Sequence, residues 1–396
     1  RNPDLVRAAW VAGTVVDLPL VERPPATTAA QVDEMIAALA TPAVAAPVVV
    51  TTARGDFTLS PAAIARGLIF VTNNAGLLSP KIDVKRLRAA AAKELKKVEV
   101  AAEEASVSLK GGKPKVLAGT SGQSVDLAKL APALLAVLPN PAPRAVEATL
   151  QEQKPAVTDA DMAKLGIKEK VSTFTTRFPG GLSSPRSQNI VTIAKEVDGA
   201  VVKPGETFSL NGHTGERSYA QGYKDAPVIV GGKLEPGVGG GASQFTTTLF
   251  NAAYYAGLQD VEHKPHSFWF SRYPAVIEST IFYPTLDMKF KNTTPYGILI
   301  DTSHTGSTVT VSMWSTKFYD SVKTEYSPRR DHTSPPTVYR DPGPKCIETG
   351  GLPGFTQDAF RVIRKDGKVI KREKFTWRYD PEPRFICKKE KKKEPS

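Results

Sequence analysis

The chain has 396 residues, 41% of them apolar, which is too long for one ordinary core and rich enough to fill two or three. Lys and Arg outnumber Asp and Glu by 52 to 40, giving a formal charge of +12 that suits an anionic partner. No run approaches the roughly 20 apolar residues that span a bilayer, and no basic–aromatic recognition motif supports nucleic acid, which net charge alone does not establish. The opening "RNPDLVRAAW" starts in the middle of a pattern, as expected of a chain cut from an N-terminal leader or anchor, so contact with a membrane is expected only through an anchor outside this sequence.

Two segments, "VVDLPLVERPPATTAAQVDEM" from Val15 and "AVEATLQEQKPAVTDADMAKL" from Ala145, align at an offset of 130 residues. Each reads as a strand, then Pro-Ala-x-Thr, then a helix start, with Thr28 and Thr158 as N-caps. Between them, "PVVVTTARGDFTLSPAAIARGL" and "KPKVLAGTSGQSVDLAKLAPALLAVL" both give strand, Gly-containing turn and short helix, the first opening at Ser60-Pro61 with Pro in its first turn. The amphipathic stretches "VDEMIAALA" and "VKRLRAAAAKELKKV" fill the gaps as helices. Residues 1–165 are thus expected to be duplicated α+β modules. Histidine is absent before His213 and no phosphate loop occurs, so this half reads as a binding or spacing element.

The stretch "FPGGLSSPRSQN" (Phe178–Asn189) has turn chemistry, and residues 166–188 are expected to be a linker. A helix follows in "NIVTIAKEVDGAVV", with Ile190, Ile193 and Val197 along one face. From Lys203 the texture is β-rich. "KPGETFSL" and "APVIVGGKLEPG" read as strands, and "AVIESTIFY", "LDMKFKN", "YGILIDTS" and "STVTVSMWS" as a meander with a turn at "HTGS". "FRVIRKDGKVIKREKFTWRY" predicts a hairpin about Asp366-Gly367, and "CKKEKKKEPS" a solvated basic tail.

The two cysteines, Cys346 and Cys387, both lie in Pro-rich loop contexts. They could be free thiols or part of a metal site, but no His is near either of them in sequence. A disulfide is the preferred reading: it would close a loop of about 42 residues, stabilise by roughly 4 kcal/mol, and imply an oxidising compartment.

The stretch "GGGASQFTTTLFNAAYYAGL" (Gly239–Leu258) holds the chemistry. Three glycines before an apolar helix mean a sharp turn or a close approach, and place Ser243 at or next to the N-cap. Three accounts fit Ser243. It caps the helix; it belongs to a phosphate cradle, although the Lys-Ser/Thr of a Walker loop is missing; or it is a nucleophile whose oxyanion the Gln244 and Phe245 amides would hold. A serine nucleophile needs a base, and His263 and His266 follow in "VEHKPHSFWFSRYP", with His213 upstream. Zinc is the weaker reading of His-x-x-His here, because Pro265 breaks the helix that would put both rings on one face. No metal or other cofactor is expected.

The texts "GETFSLN", "GERSYAQGYKDAPVIVGG", "GGGASQFTTTLFNAAYYAGL", "HKPHSFWFSRYP" and "LDMKFKNTTPYGILI" resemble, in order and spacing, the VanW domain family associated with vancomycin resistance. The duplicated first half resembles the peptidoglycan-binding modules that often precede such a domain, and the Cys346–Cys387 segment is similar to the C-terminal extension of actinobacterial members. The resemblance covers most of the chain. It implies an α+β architecture: modules over 1–165, a β-rich VanW domain over 189–316 with a short helix after the Gly-rich turn, a β-hairpin extension over 317–387, and the tail 388–396. It also implies an extracytoplasmic, cell-envelope location.

Some members are L,D-transpeptidases that use a cysteine in Gly-Gly-Gly-x-Cys-Gln, and Ser243 stands at that position. A thiolate is intrinsically nucleophilic whereas a serine hydroxyl depends on its base. The substitution leaves a serine acyl-transferase, a non-catalytic binder of stem peptides, or, ranked last, an engineered replacement of the nucleophile. For catalysis the resemblance nominates Ser243 with His266 or His263 and Gln244. For binding it nominates Gly240 and Gly241 in the turn with Arg217, Tyr223, Trp269 and Arg272, one of the arginines gripping a stem-peptide carboxylate. The expected partner is peptidoglycan or its stem peptides, with anionic wall polymers as a second class; the enzyme is the alternative to the binder.

Overall fold

The computed structural model describes residues 3–13, 25–73, 76–109, 111–230, 233–343 and 346–388. The chain is α+β and divides into two compact units, Arg1–Glu103 with Thr120–Ala156, and Glu104–Gly119 with Val157–Ser396.

In the first unit, β1 (Val48–Thr52) pairs antiparallel with β2 (Gly55–Leu59) and parallel with β3 (Arg144–Glu147). Val48 and Val50 point inward at the strand period of two. Ser60 caps α1 (Pro61–Gly67) by accepting from the Ala63 N–H, with Pro61 in the first turn as expected. Leu127, Leu130 and Leu134 of α2 (Leu127–Val137) recur at helical spacing and meet Phe57, Leu59 and Leu87 in the same core. Arg144 is buried, but its guanidinium is spent on the carbonyls of Pro42, Ala43, Ala46 and Leu138, so it holds helix ends together.

Thr28 and Thr158 are both N-caps, each with a reciprocal capping box, to Gln31 and Asp161. The first copy of the repeated strand, at Val15–Glu22, falls outside the described residues. The two capped helices part company, since Ala29–Met35 belongs to the first unit and Asp159–Lys164 to the second. The stretch expected as one helix from Val84 breaks at Ala91 into Val84–Ala90 and Ala92–Leu95.

In the second unit, residues expected as a linker contain a nine-residue strand, β4 (Glu169–Arg177). Its Thr-rich alternation is strand chemistry, for Thr173 and Thr175 meet Ser312 and Thr310 of its neighbour hydroxyl to hydroxyl. The helix α3 (Pro185–Val197) begins inside the expected linker too, because Pro185 fits a first helical turn that needs no N–H. There follow β5 (Val201–Val202), the hairpin β6 (Asp225–Val230) and β7 (Lys233–Val238), α4 (Ala242–Tyr255), β8 (Ile298–His304) and β9 (Thr308–Ser315). The central sheet runs β4-β9-β8-β5. Phe245, Leu249, Ala252 and Ala253 of α4 enter one core with Ile190, Ile193 and Val197 of α3.

The C-terminal strands are β10 (Ser321–Tyr326), β11 (Arg330–Thr333), β12 (Gly354–Lys365) and β13 (Lys368–Tyr379). The β12–β13 turn has positive φ at both Asp366 and Gly367, 50° and 73°, which is the tight hairpin expected from that dipeptide. Phe355, Ala359 and Tyr379 complete the core that holds α4, so the expected extension is packed into the body of the unit. Arg361, 1% exposed, donates to Glu373 and to the Leu258 carbonyl just past the end of α4. Cys346 and Cys387 are joined by a disulfide across 41 positions, as expected. The parallel pairing of Thr337–Tyr339 with Arg384–Ile386 belongs to the same C-terminal segment. Of the tail, residues 389–396 lie outside the described residues. Among the described residues no helix is long and apolar enough to cross a membrane.

Candidate functional site

The three glycines are explained by what surrounds them. Gly241, at φ 101°, is the N-cap of α4, and a Cβ at Gly240 would lie 2.3 Å from the Ala226 carbonyl oxygen of β6. Ser243 is therefore the second residue inside the helix and does not cap it. The turn reaches its cap position in a left-handed conformation that glycine adopts freely and serine does not. The Ser243 hydroxyl instead pairs with Thr280 Oγ1 at 3.0 Å.

That contact opens a row. At every fourth residue of α4 a polar side chain reaches the segment Ile277–Thr280. Ser243 meets Thr280; Thr247 Oγ1 donates to Ser279 O at 3.0 Å and accepts from its N–H at 3.1 Å; Asn251 donates to Ile277 O at 2.8 Å. Residues at i, i+4 and i+8 share one helix face. This row corrects the expectation of a strand at "AVIESTIFY": the Ile277 and Ser279 carbonyls and the Ser279 N–H find their partners on helix side chains, and no ladder forms over Ile277–Ser279.

The same segment carries Glu278, fully buried, whose carboxylate bonds His266 Nδ1 at 2.7 Å and accepts from the Tyr379 hydroxyl at 2.8 Å. Tyr379 in turn accepts from the Val276 N–H at 2.8 Å, and burial beside Glu278 pushes its hydroxyl pKa up. The His266 ring, 7% exposed, stacks on Tyr273 at 5.5 Å. The Thr280 N–H donates to Lys264 O, tying the two chain segments just beside the imidazole. Segment 278–280 thus holds the partner of the serine and the anchor of the histidine two residues apart. Among the described residues no hydrogen bond joins Ser243 to an imidazole.

The other nominated residues divide. His263 bonds Asp260 at 2.6 Å and stacks on Phe250 at 4.3 Å, and Phe250 lies about 10 Å further along α4 than Ser243 at ~1.5 Å per residue. It is not placed to act as base. Gln244 is buried: its amide nitrogen donates to Thr176 Oγ1 and Arg177 O, and its oxygen accepts from Arg186. Its backbone N–H is taken by Gly241 O at 2.9 Å, which removes it from the expected oxyanion pair.

Tyr223 is 1% exposed with its hydroxyl on Glu196, so it is a core residue and offers no ligand surface. Arg217 packs along Gly239 and donates to Asn211 Oδ1 at 2.9 Å. Trp269 is half-buried, edge-on to Phe355, with Arg329 covering it at 4.1 Å. Arg272 is exposed, lying over Phe270 and Tyr273.

Sequence reasoning missed Glu278, Thr280, Tyr379 and Arg186. A lone Glu within the apolar run "AVIESTIFY" was the available signal for the first. Among the described residues no group of three His, Cys, Asp or Glu could hold a metal ion. A cavity of about 170 Å³ is lined by Tyr255, Ala256 and Phe318 at the other end of α4, without a histidine.

Residues 185–314 match a family described as "VanW like protein", and residues 30–147 one described as "Putative peptidoglycan binding domain". Uncharacterized protein YoaR of Bacillus subtilis is 37% identical over 153 residues, covering 39% of this chain and 50% of that protein. Vancomycin B-type resistance protein VanW of Enterococcus faecalis is 28% identical over 113 residues, covering 27% of this chain and 40% of that protein. The chain thus spans half or less of the length of these curated relatives. No solved structure gives a significant match.

Proposed function

We propose, for a cell-wall-associated chain that carries a VanW domain over residues 185–314 and a peptidoglycan-binding domain over 30–147, that it binds peptidoglycan through its stem peptides at the start of α4. The observation that carries binding over catalysis is the Ser243–Thr280 bond. A serine hydroxyl becomes a nucleophile when a base takes its proton, and this one faces another hydroxyl. The location that fits is outside the cytoplasm, which the Cys346–Cys387 disulfide supports.

One observation favours acyl transfer as a second reading. His266 is held at Nδ1 by a buried carboxylate, the orientation a general base requires. In that reaction Ser243 Oγ attacks the acyl carbonyl, its proton passes to His266 Nε2, and the amine leaves with that proton; a second amine then attacks the acyl-serine, gives its proton to His266, and takes the acyl group as that proton returns to Ser243 Oγ. It requires Ser243 to turn away from Thr280.

Incubation of the full chain with purified sacculi separates the two. Binding predicts that the protein sediments with the sacculi and that mass spectrometry of their digest is unchanged. New cross-links or trimmed stems that vanish in Ser243→Ala would replace the binding reading with the enzymatic one.

A further inference from the structure

Two arginines touch the Gly-rich turn in contrasting electrostatic settings. Burial lowers the pKa of Arg217, along Gly239, but Glu196, Asp287 and Glu216 act against that shift. Arg186 passes over Gly241, where an added Cβ would lie 2.7 Å from its Cγ, and donates to Gln244 Oε1 at 2.8 Å. The charged neighbour of Arg186 is a second cation, Arg272. Among the described residues neither forms an ion pair with a carboxylate, although the charge of Arg272 reaches Glu382.

A half-buried guanidinium beside a like charge loses hydration without gaining a counter-charge, an arrangement that an incoming anion relieves. Burial, then Arg272, depress the Arg186 pKa, while Tyr273 works the other way. The geometry also aims the pair. The Arg272 guanidinium lies 4.4 Å from the Phe270 ring centre and 4.9 Å from that of Tyr273, and a stacked guanidinium keeps its edge N–H groups free for a carboxylate. Tyr273 stacks on His266, and Gln244 adjoins Ser243, so Arg272 lies over the ring next to the imidazole and Arg186 bonds the residue next to the serine.

We propose that Arg186 and Arg272 together form the subsite that receives a free peptide carboxylate. This rests on the stem-peptide reading of the same site; of the two arginines expected to grip a carboxylate it keeps Arg272, and it puts Arg186 in the place of Arg217. Bidentate pairing with one guanidinium and a charge-assisted bond to the other would discriminate the acid from its uncharged amide.

The test is calorimetric titration of the full chain with a synthetic stem tetrapeptide bearing a free C-terminal carboxylate, and with the same peptide as its C-terminal carboxamide. The acid is expected to bind at least about tenfold more tightly, a margin within the reach of one charge-assisted bond. Arg186→Met and Arg272→Met should each bring the acid down to the level of the amide. Arg272 is exposed, so its variant keeps the test valid should Arg186→Met fold poorly. Equal binding of acid and amide by the wild type, or acid binding unchanged in Arg272→Met, overturns the subsite. If both peptides still bind the wild type in that case, the stem-peptide reading stands and only this inference falls. If neither peptide binds, both fall, even where sacculi retain the protein through residues 30–147.

Discussion

Glu278→Ala is expected to destabilise the protein by about 3 kcal/mol and to release the His266 ring, because one carboxylate satisfies two buried donors. Tyr379 is 1% exposed and His266 7%, so water reaches neither easily once the acceptor is gone. An unsatisfied buried polar group costs roughly 1–3 kcal/mol, and the cavity left by the side chain adds to that. Glu278→Gln retains a carbonyl for Tyr379 and should lose less. Urea denaturation followed by fluorescence measures both variants, and an alanine variant within about 0.5 kcal/mol of wild type, the range of an ordinary surface substitution, would show that Glu278 does not organise the site.

A chain ending at residue 316 is expected to lose cooperative folding of the second unit. Removal of the C-terminal strands takes Phe355, Ala359 and Tyr379 out of the core that buries α4. It also removes Arg361, which donates to the carbonyls of Tyr254 and Leu258 at the end of that helix. Full burial of a large apolar side chain contributes about 1.5–3 kcal/mol, so several such losses reach the whole stability of an ordinary domain, about 5–15 kcal/mol. Amide NMR dispersion and denaturant unfolding read the outcome. A dispersed spectrum with a sharp transition would mean that the strands are an appendage.

The features legible in the sequence were those that local chemistry decides. Thr28, Thr158 and Ser60 cap helices through bonds spanning three residues, and Asp366-Gly367 forms its turn through its own φ preference. The disulfide was readable from two cysteines alone in loop contexts. The features that were not legible are decided by distant partners. Whether "AVIESTIFY" forms a ladder depends on Thr247 and Asn251 of a helix two dozen or more positions earlier.

Ser243 resembles a cap in sequence, but the close approach of Gly240 to Ala226 shifts the helix start by two residues. Arg186 stood in a Pro- and Ser-rich stretch whose composition suggested a linker, and its position over Gly241 is a tertiary fact. Gln244 and Tyr223 matched a family pattern, yet their side chains point into the core, which a pattern of residue types does not encode.

The central claim is that a stem peptide is received at the start of α4, between Ser243, His266 and the arginine pair. Amide shift mapping of the isotope-labelled full chain, titrated with a soluble muropeptide, tests it most directly. The account predicts saturable shifts at 239–245, 264–273 and 278–280, together with Arg186. Shifts confined to residues 30–147, with this cluster unmoved at saturation, would contradict it.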